Sequence, residues 1–116
     1  MSKQKIYDMS FSKIFPLYVA KIERKGRTVL ELYSVVEWLT GYNKELLEEA
    51  IRKEISLKEF FDAAPNLNDK RSLITGVICG VRVEEIKEDL IREIRYLDKV
   101  VDELAKGKKL SVILRQ

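Results

Sequence analysis

Leu90, Ile94, Leu97, Val101 and Leu104 follow one another at intervals of four, three, four and three residues. That stepping lines five large aliphatic side chains along one stripe of an α-helix and predicts a helix over residues 88–106, with Asp89 in its first turn. A stripe of this length must be covered by other parts of the chain, so the fold is built around it. The other faces carry Arg95, Asp98, Lys99, Asp102 and Glu103. Their spacing suits i,i+3 and i,i+4 ion pairs in solvent. The chain has 116 residues, of which 46% are hydrophobic and 35% charged. A single domain of that size buries roughly two-thirds of its unfolded surface, enough for one core without metal or disulfide.

The remaining segments read as short helices with clear punctuation. Residues 1–9 read as an extended arm. A helix over 13–25 is capped by Ser12, accepts Pro16 near its start and is stopped by Gly26. Its expected buried stripe is Ile14, Leu17, Tyr18 and Ile22. Thr28 and Glu31 form a capping box for a helix to about Leu39, with Leu32, Val35, Val36 and Leu39 inward and Gly41 at its end. Asn43 caps a helix over 44–53 with Leu46, Leu47, Ala50 and Ile51 inward. Ser56 and Glu59 open a short helix carrying Leu57, Phe60, Phe61 and Ala64, which stops before Pro65. Residues 65–71 form a loop. Residues 72–80 combine strand-like Val and Ile with a Ser72 cap and a Gly80 stop, and periodicity does not separate the two states over so short a run. We read them as two buried helical turns, followed by an extended link at 81–83 and a last helix over 109–114. The expected fold is all-α: one compact domain of about six helices.

Met9-Ser10-Phe11, Pro16-Leu17-Tyr18-Val19, Lys25-Gly26-Arg27-Thr28, Trp38-Leu39-Thr40-Gly41-Tyr42, Ala64-Pro65 and Val83-Glu84-Glu85-Ile86 form a recognisable series. With Leu73 to Gly80 and Arg95 to Gly107, they span nearly the whole chain. Together they resemble a bacterial family of uncharacterised proteins catalogued as domain of unknown function 2200. That pattern often has a proline where the long helix begins; Asp89 lies near there and alters only the cap. The resemblance implies a small, cytosolic, mainly helical domain, and it implies no activity, cofactor or partner.

Several chemistries are excluded by composition. There is no histidine and one cysteine, Cys79. Histidine-based triads, imidazole proton shuttles, His-ligated metals and internal disulfides are therefore absent. No Glu-x-x-His pair and no calcium-loop spacing exists, so neither metal nor cofactor is expected. Cys79 lacks the usual base and is expected to be a buried packing residue. Should it face an open cleft instead, Arg82, Arg95 and Asp98 are the residues that would define a small-molecule or redox site with it. Trp38 and Tyr42, with Tyr18 and Tyr33, could line a pocket, but core packing is the plainer role.

Net charge is +3, distributed as +5 over residues 1–27, −4 over 28–64 and +2 over 65–116. Lys21, Arg24, Lys25 and Arg27 form one basic end, and Lys106, Lys108, Lys109 and Arg115 another. If the two meet in space they make one anion-binding face. The helices on either side of Thr40-Gly41-Tyr42 superficially suggest a helix-turn-helix, but the second carries Glu45, Glu48, Glu49 and Glu54, a poor match to phosphate-lined grooves. Nucleic-acid or anion binding through the two basic ends is therefore the alternative and not the leading reading. No apolar run is long enough to span a membrane, no signal peptide is visible, and the lone thiol suits the cytoplasm. The leading expectation is a non-enzymatic domain that acts through protein contacts, with a homodimer among the options.

Overall fold

The structure, a computed structural model, describes residues 3–115, with side chains from Ile6 onward. Seven α-helices occur among them: α1 (Lys3–Asp8), α2 (Phe11–Glu23), α3 (Val29–Thr40), α4 (Lys44–Arg52), α5 (Leu57–Asp62), α6 (Asp89–Ala105) and α7 (Leu110–Ile113). Single 3₁₀ turns lie at Asp69–Leu73 and Val83–Glu85. Two short strands, β1 (Val77–Ile78) and β2 (Val81–Arg82), pair antiparallel, Val77 opposite Arg82 and Ile78 opposite Val81.

The caps explain most boundaries. Thr28 Oγ1 accepts from the Glu31 N–H while the Glu31 carboxylate accepts from the Thr28 N–H, a complete capping box. Asn43 and Ser56 accept from the third helical N–H of α4 and α5. α2 departs from expectation. Ser10, not Ser12, is its cap, and the Ser12 N–H donates to Ser10 Oγ. The helix therefore begins at Phe11 and buries Phe11, Phe15, Tyr18 and Ile22, leaving Leu17 68% exposed. Leu46 on α4 is likewise exposed.

Three further expectations are corrected. Residues 3–8 of the expected arm form α1; residues 1 and 2 lie outside the described residues. Residues 72–80 are not helical: Ser72 and Leu73 end a 3₁₀ turn, and Val77 and Ile78 form a strand. Residues 81–83, read as a link, contain the second strand. The fold is mostly helical with a small sheet, and it is not purely α.

α6 is the element the others pack around, touching α2, α3, α5, α7 and β1. Its Ile94, Leu97, Val100, Val101 and Leu104 belong to one core with Leu32, Val35, Val36 and Leu39 of α3. An aromatic stack continues that core. Phe60 lies 4.0 Å from Phe11 and 4.4 Å from Tyr42, both nearly parallel, and Phe11 meets Phe15, which meets Tyr33. Burying each large apolar side chain contributes about 1.5–3 kcal/mol. The radius of gyration, 13.2 Å, matches the roughly 13 Å of a well-packed chain this long.

Candidate functional site

Two concave regions lie one helical turn apart along α2 and α6. The first is built on a polar cluster. Tyr18 donates its hydroxyl hydrogen to Asp98 Oδ1 at 2.5 Å, and Arg95 Nη1 donates to Asp98 Oδ2 at 2.9 Å. Arg95 Nη1 also reaches Cys79 Sγ at 3.5 Å. Tyr18 comes from α2, Arg95 and Asp98 from successive positions on one face of α6, and Cys79 from the β1–β2 turn. Burial, with the neighbouring Asp98 charge and hydrogen bond, raises the Tyr18 pKa well above the usual phenol value, so its hydroxyl stays a donor. Tyr18, Arg95 and Asp98 also line an apolar cavity.

Cys79 is exposed, which overturns the expected burial. The reason is local: it occupies the two-residue turn of the β1–β2 hairpin, between Ile78 and Val81. Arg82 does not join the cluster. It sits on β2, exposed, 3.7 Å from Glu84. Trp38 and Tyr42 also lie apart from it and from each other's surroundings. Trp38 is half-buried beside a shallow depression shared with Gly41, Asn66 and Asn68. Tyr42 is buried, donates to the Phe60 carbonyl at 2.6 Å and has its pKa pushed up to about 12 by burial. Its surroundings are those of a core residue.

The second region brings the two basic ends together. Lys21, Arg24 and Lys25 at the end of α2 and Lys106 at the end of α6 line an open cleft of about 800 Å³ with Asp102 and Ala105. Asp102 braces it, 3.2 Å from Lys21 Nζ and 3.0 Å from Lys106 Nζ. Burial pushes the Asp102 carboxyl up, but hydrogen bonds and charges from Lys106 and Lys21 outweigh that and hold it below the usual carboxylate range. Among the described residues Arg24 and Lys25 have no ion-pair partner. Arg27 plays a different part. Its Nε and Nη2 hold Glu31, and its Nη1 donates to the carbonyls of Leu104 and Lys108. It fastens the two ends together. Lys108 and Lys109 are exposed and do not line the cleft.

A model of a bacterial protein family, described as an uncharacterized protein conserved in bacteria and named domain of unknown function 2200, matches residues 5–115. The chain belongs to this family. Its fold is similar to the crystal structure of the uncharacterized protein SP1917, with a TM-score of 0.91, 43% sequence identity and coverage of 99% of this chain and 93% of that one. Comparison with curated proteins finds no match.

Two stretches by which the sequence resembles the 2200 family meet at the first region. Residues 73–80 supply Cys79, and residues 95–107 supply Arg95 and Asp98 and, for the cleft, Asp102 and Lys106. The charged pairs Arg71–Glu93 and Arg115–Glu103 escaped the sequence reading. Each places a buried carboxylate against an arginine, at 2.9 and 2.8 Å. Glu93 and Glu103 flank the apolar stripe of α6, and that position was the available signal. Among the described residues no three metal-binding side chains come together, and no helix is long and apolar enough to cross a membrane.

Proposed function

We propose that this chain is a non-catalytic, cytoplasmic binding domain that holds a small phosphate-bearing anion in the cleft between the ends of α2 and α6. The observation that carries this reading is the meeting of the two basic ends around Asp102. Four cations and one carboxylate line the cleft, an excess of three positive charges in a single concavity. Part of that charge complements the C-terminal dipoles of the two helices. Arg24 and Lys25 supply more than the dipoles need, and a polyanion relieves the repulsion among all four. An exposed free thiol at Cys79 supports a reducing compartment.

The test is calorimetric titration of the full chain with inorganic pyrophosphate at low ionic strength. Binding is expected to weaken as salt is raised. Replacing Arg24 and Lys25 together by serine is expected to weaken it about tenfold. Absence of binding, or a variant that binds as the parent does, overturns the proposal. Tighter binding of duplex DNA or RNA, with a steeper salt dependence than pyrophosphate, overturns it in favour of nucleic acid.

Contact with a protein partner or a second copy draws its support from apolar residues left in solvent. Leu17, Leu30, Leu73 and Val112 are the most exposed, followed by Val77, Val81 and Leu46. They are spread over α2, α3, α4, the hairpin with the turn before it, and α7, and scattered apolar residues are ordinary on a surface. The basic cleft is the more localised feature.

A further inference from the structure

The apolar cavity beside the Tyr18–Asp98–Arg95 cluster has about 290 Å³ of space. Ile6, Met9, Ile14, Leu17, Leu57 and Ile91 form its aliphatic walls, drawn from α1, α2, α5, α6 and the link after α1. Among the described residues the polar groups in its lining are the three of the cluster. A hollow walled mainly by aliphatic side chains, with a cluster of hydrogen-bonding groups in the same lining, is suited to an amphiphile.

The cluster's own bonds indicate what the polar head must be. Asp98 has both oxygens engaged, Oδ1 by Tyr18 and Oδ2 by Arg95. Tyr18 has its one hydrogen on Asp98. Arg95 uses Nη1 for both of its contacts, Asp98 and Cys79. The guanidinium has five N–H donors, and Nε and Nη2 hold the other three. Among the described residues those two nitrogens have no protein partner, while the side chain is only 27% exposed. The Nε–Nη2 edge is the side of a guanidinium that receives a planar carboxylate through two parallel hydrogen bonds.

We propose that this cavity binds an aliphatic monocarboxylate, its head side-on to the Nε–Nη2 edge of Arg95 and its chain along the walls formed by α2, α6 and α1. Arg95 then bridges two carboxylates, Asp98 on its Nη1 side and the ligand on the other. Octanoate, with a single carboxylate and a medium-length aliphatic chain, is the probe of this class. An amine head would meet the guanidinium as a like charge. An alcohol head would leave donors of the fork without an acceptor.

This site is independent of the basic cleft, because Arg95 does not line the cleft and Lys21, Arg24, Lys25 and Lys106 do not line the cavity. The experiment titrates the unaltered full chain with octanoate, octanol and octylamine, following amide chemical shifts. Octanoate is expected to bind and to shift residues of α1, α2 and α6, with octanol about tenfold weaker. Arg95→Lys keeps the charge and loses the fork. It is expected to weaken octanoate about tenfold and to leave octanol and pyrophosphate unchanged. Ile91→Trp fills the hollow and is expected to abolish both octanoate and octanol binding. Octanol or octylamine binding as tightly as octanoate overturns the proposal, as does no response to about 5 mM octanoate. The ligand comparison in the unaltered protein decides the matter even where a variant fails to fold.

Discussion

Gly41 and Gly80 share a left-handed backbone and differ in surroundings, so they separate two effects that are usually merged. Gly41 ends α3 at φ +83°, and a Cβ placed on it would lie 2.6 Å from the backbone nitrogen of Asn66 and 3.1 Å from its Cα. That backbone is fixed, because the Asn66 N–H donates to the Thr40 carbonyl and the Asn68 N–H to the Leu39 carbonyl. Gly80 has φ +77° and open space around it. Gly80→Ala is therefore expected to cost about 1 kcal/mol, the conformational penalty alone. Gly41→Ala adds a clash that only backbone movement relieves, for a total of about 2–4 kcal/mol. Urea denaturation of both variants checks this, and equal losses would show that the 65–68 segment yields freely.

At the scale of elements the β1–β2 hairpin is the instructive case. Its two-residue turn, Cys79 and Gly80, has φ of +53° and +77°, a conformation that favours Asn or Gly in the first position. Cysteine there is strained, and its contact with Arg95 is a long one. Cys79→Asn is expected to raise stability by about 1 kcal/mol or slightly less, and Cys79→Val to lower it by more than that. Thermal unfolding of the two variants checks the order, and no difference between them would mean that the turn relaxes at no cost. The same turn explains why the sequence misled. Strands of two residues carry no period-two pattern, and Cys-Gly is not among the pairs that announce a hairpin, so Val77 and Ile78 read equally well as helix. Where a cap with its own chemistry was present, as at Thr28, Asn43 and Ser56, the helices were legible. α2 was legible to within two residues at each end but not in face: Ile14, Leu17, Tyr18 and Ile22 and the observed Phe11, Phe15, Tyr18 and Ile22 both have helical spacing, and the stacking of Phe11 on Phe60, a contact distant in sequence, favours the second. The site was half legible: Cys79, Arg95 and Asp98 do converge, but Tyr18 and the α1 wall depend on contacts some eighty residues apart in sequence.

For the whole molecule, the decisive joint is where the α2–α3 turn meets the end of α6. Arg27 holds the Leu104 and Lys108 carbonyls at 3.0 and 2.7 Å, while its other nitrogens hold Glu31, which also caps α3. Four pieces of chain, α3, α6, the α2–α3 turn and the link to α7, thus depend on one ion pair. The Arg27 hydrogen bonds first, and the Thr28 backbone N–H next, hold the Glu31 carboxyl at about 2, against an ordinary value of 4.5. A carboxyl lowered on folding stabilises the native state fully above its unfolded value. That contribution is lost as pH falls from about 4.5 through about 2, because the native state must then take up the proton that the unfolded state already holds. Glu31→Gln removes the charge at every pH. At pH 7 the variant is expected to be less stable than the parent by about 1 kcal/mol, since the pair is partly open to water. The gap should close between pH 5 and pH 2 as the parent loses the same charge. Urea midpoints of the two proteins across that range measure it. A gap that stays constant down to pH 2 would place the value of Glu31 in its shape and cap, and not in the charge that holds Arg27 at the joint between the α2–α3 turn and the end of α6.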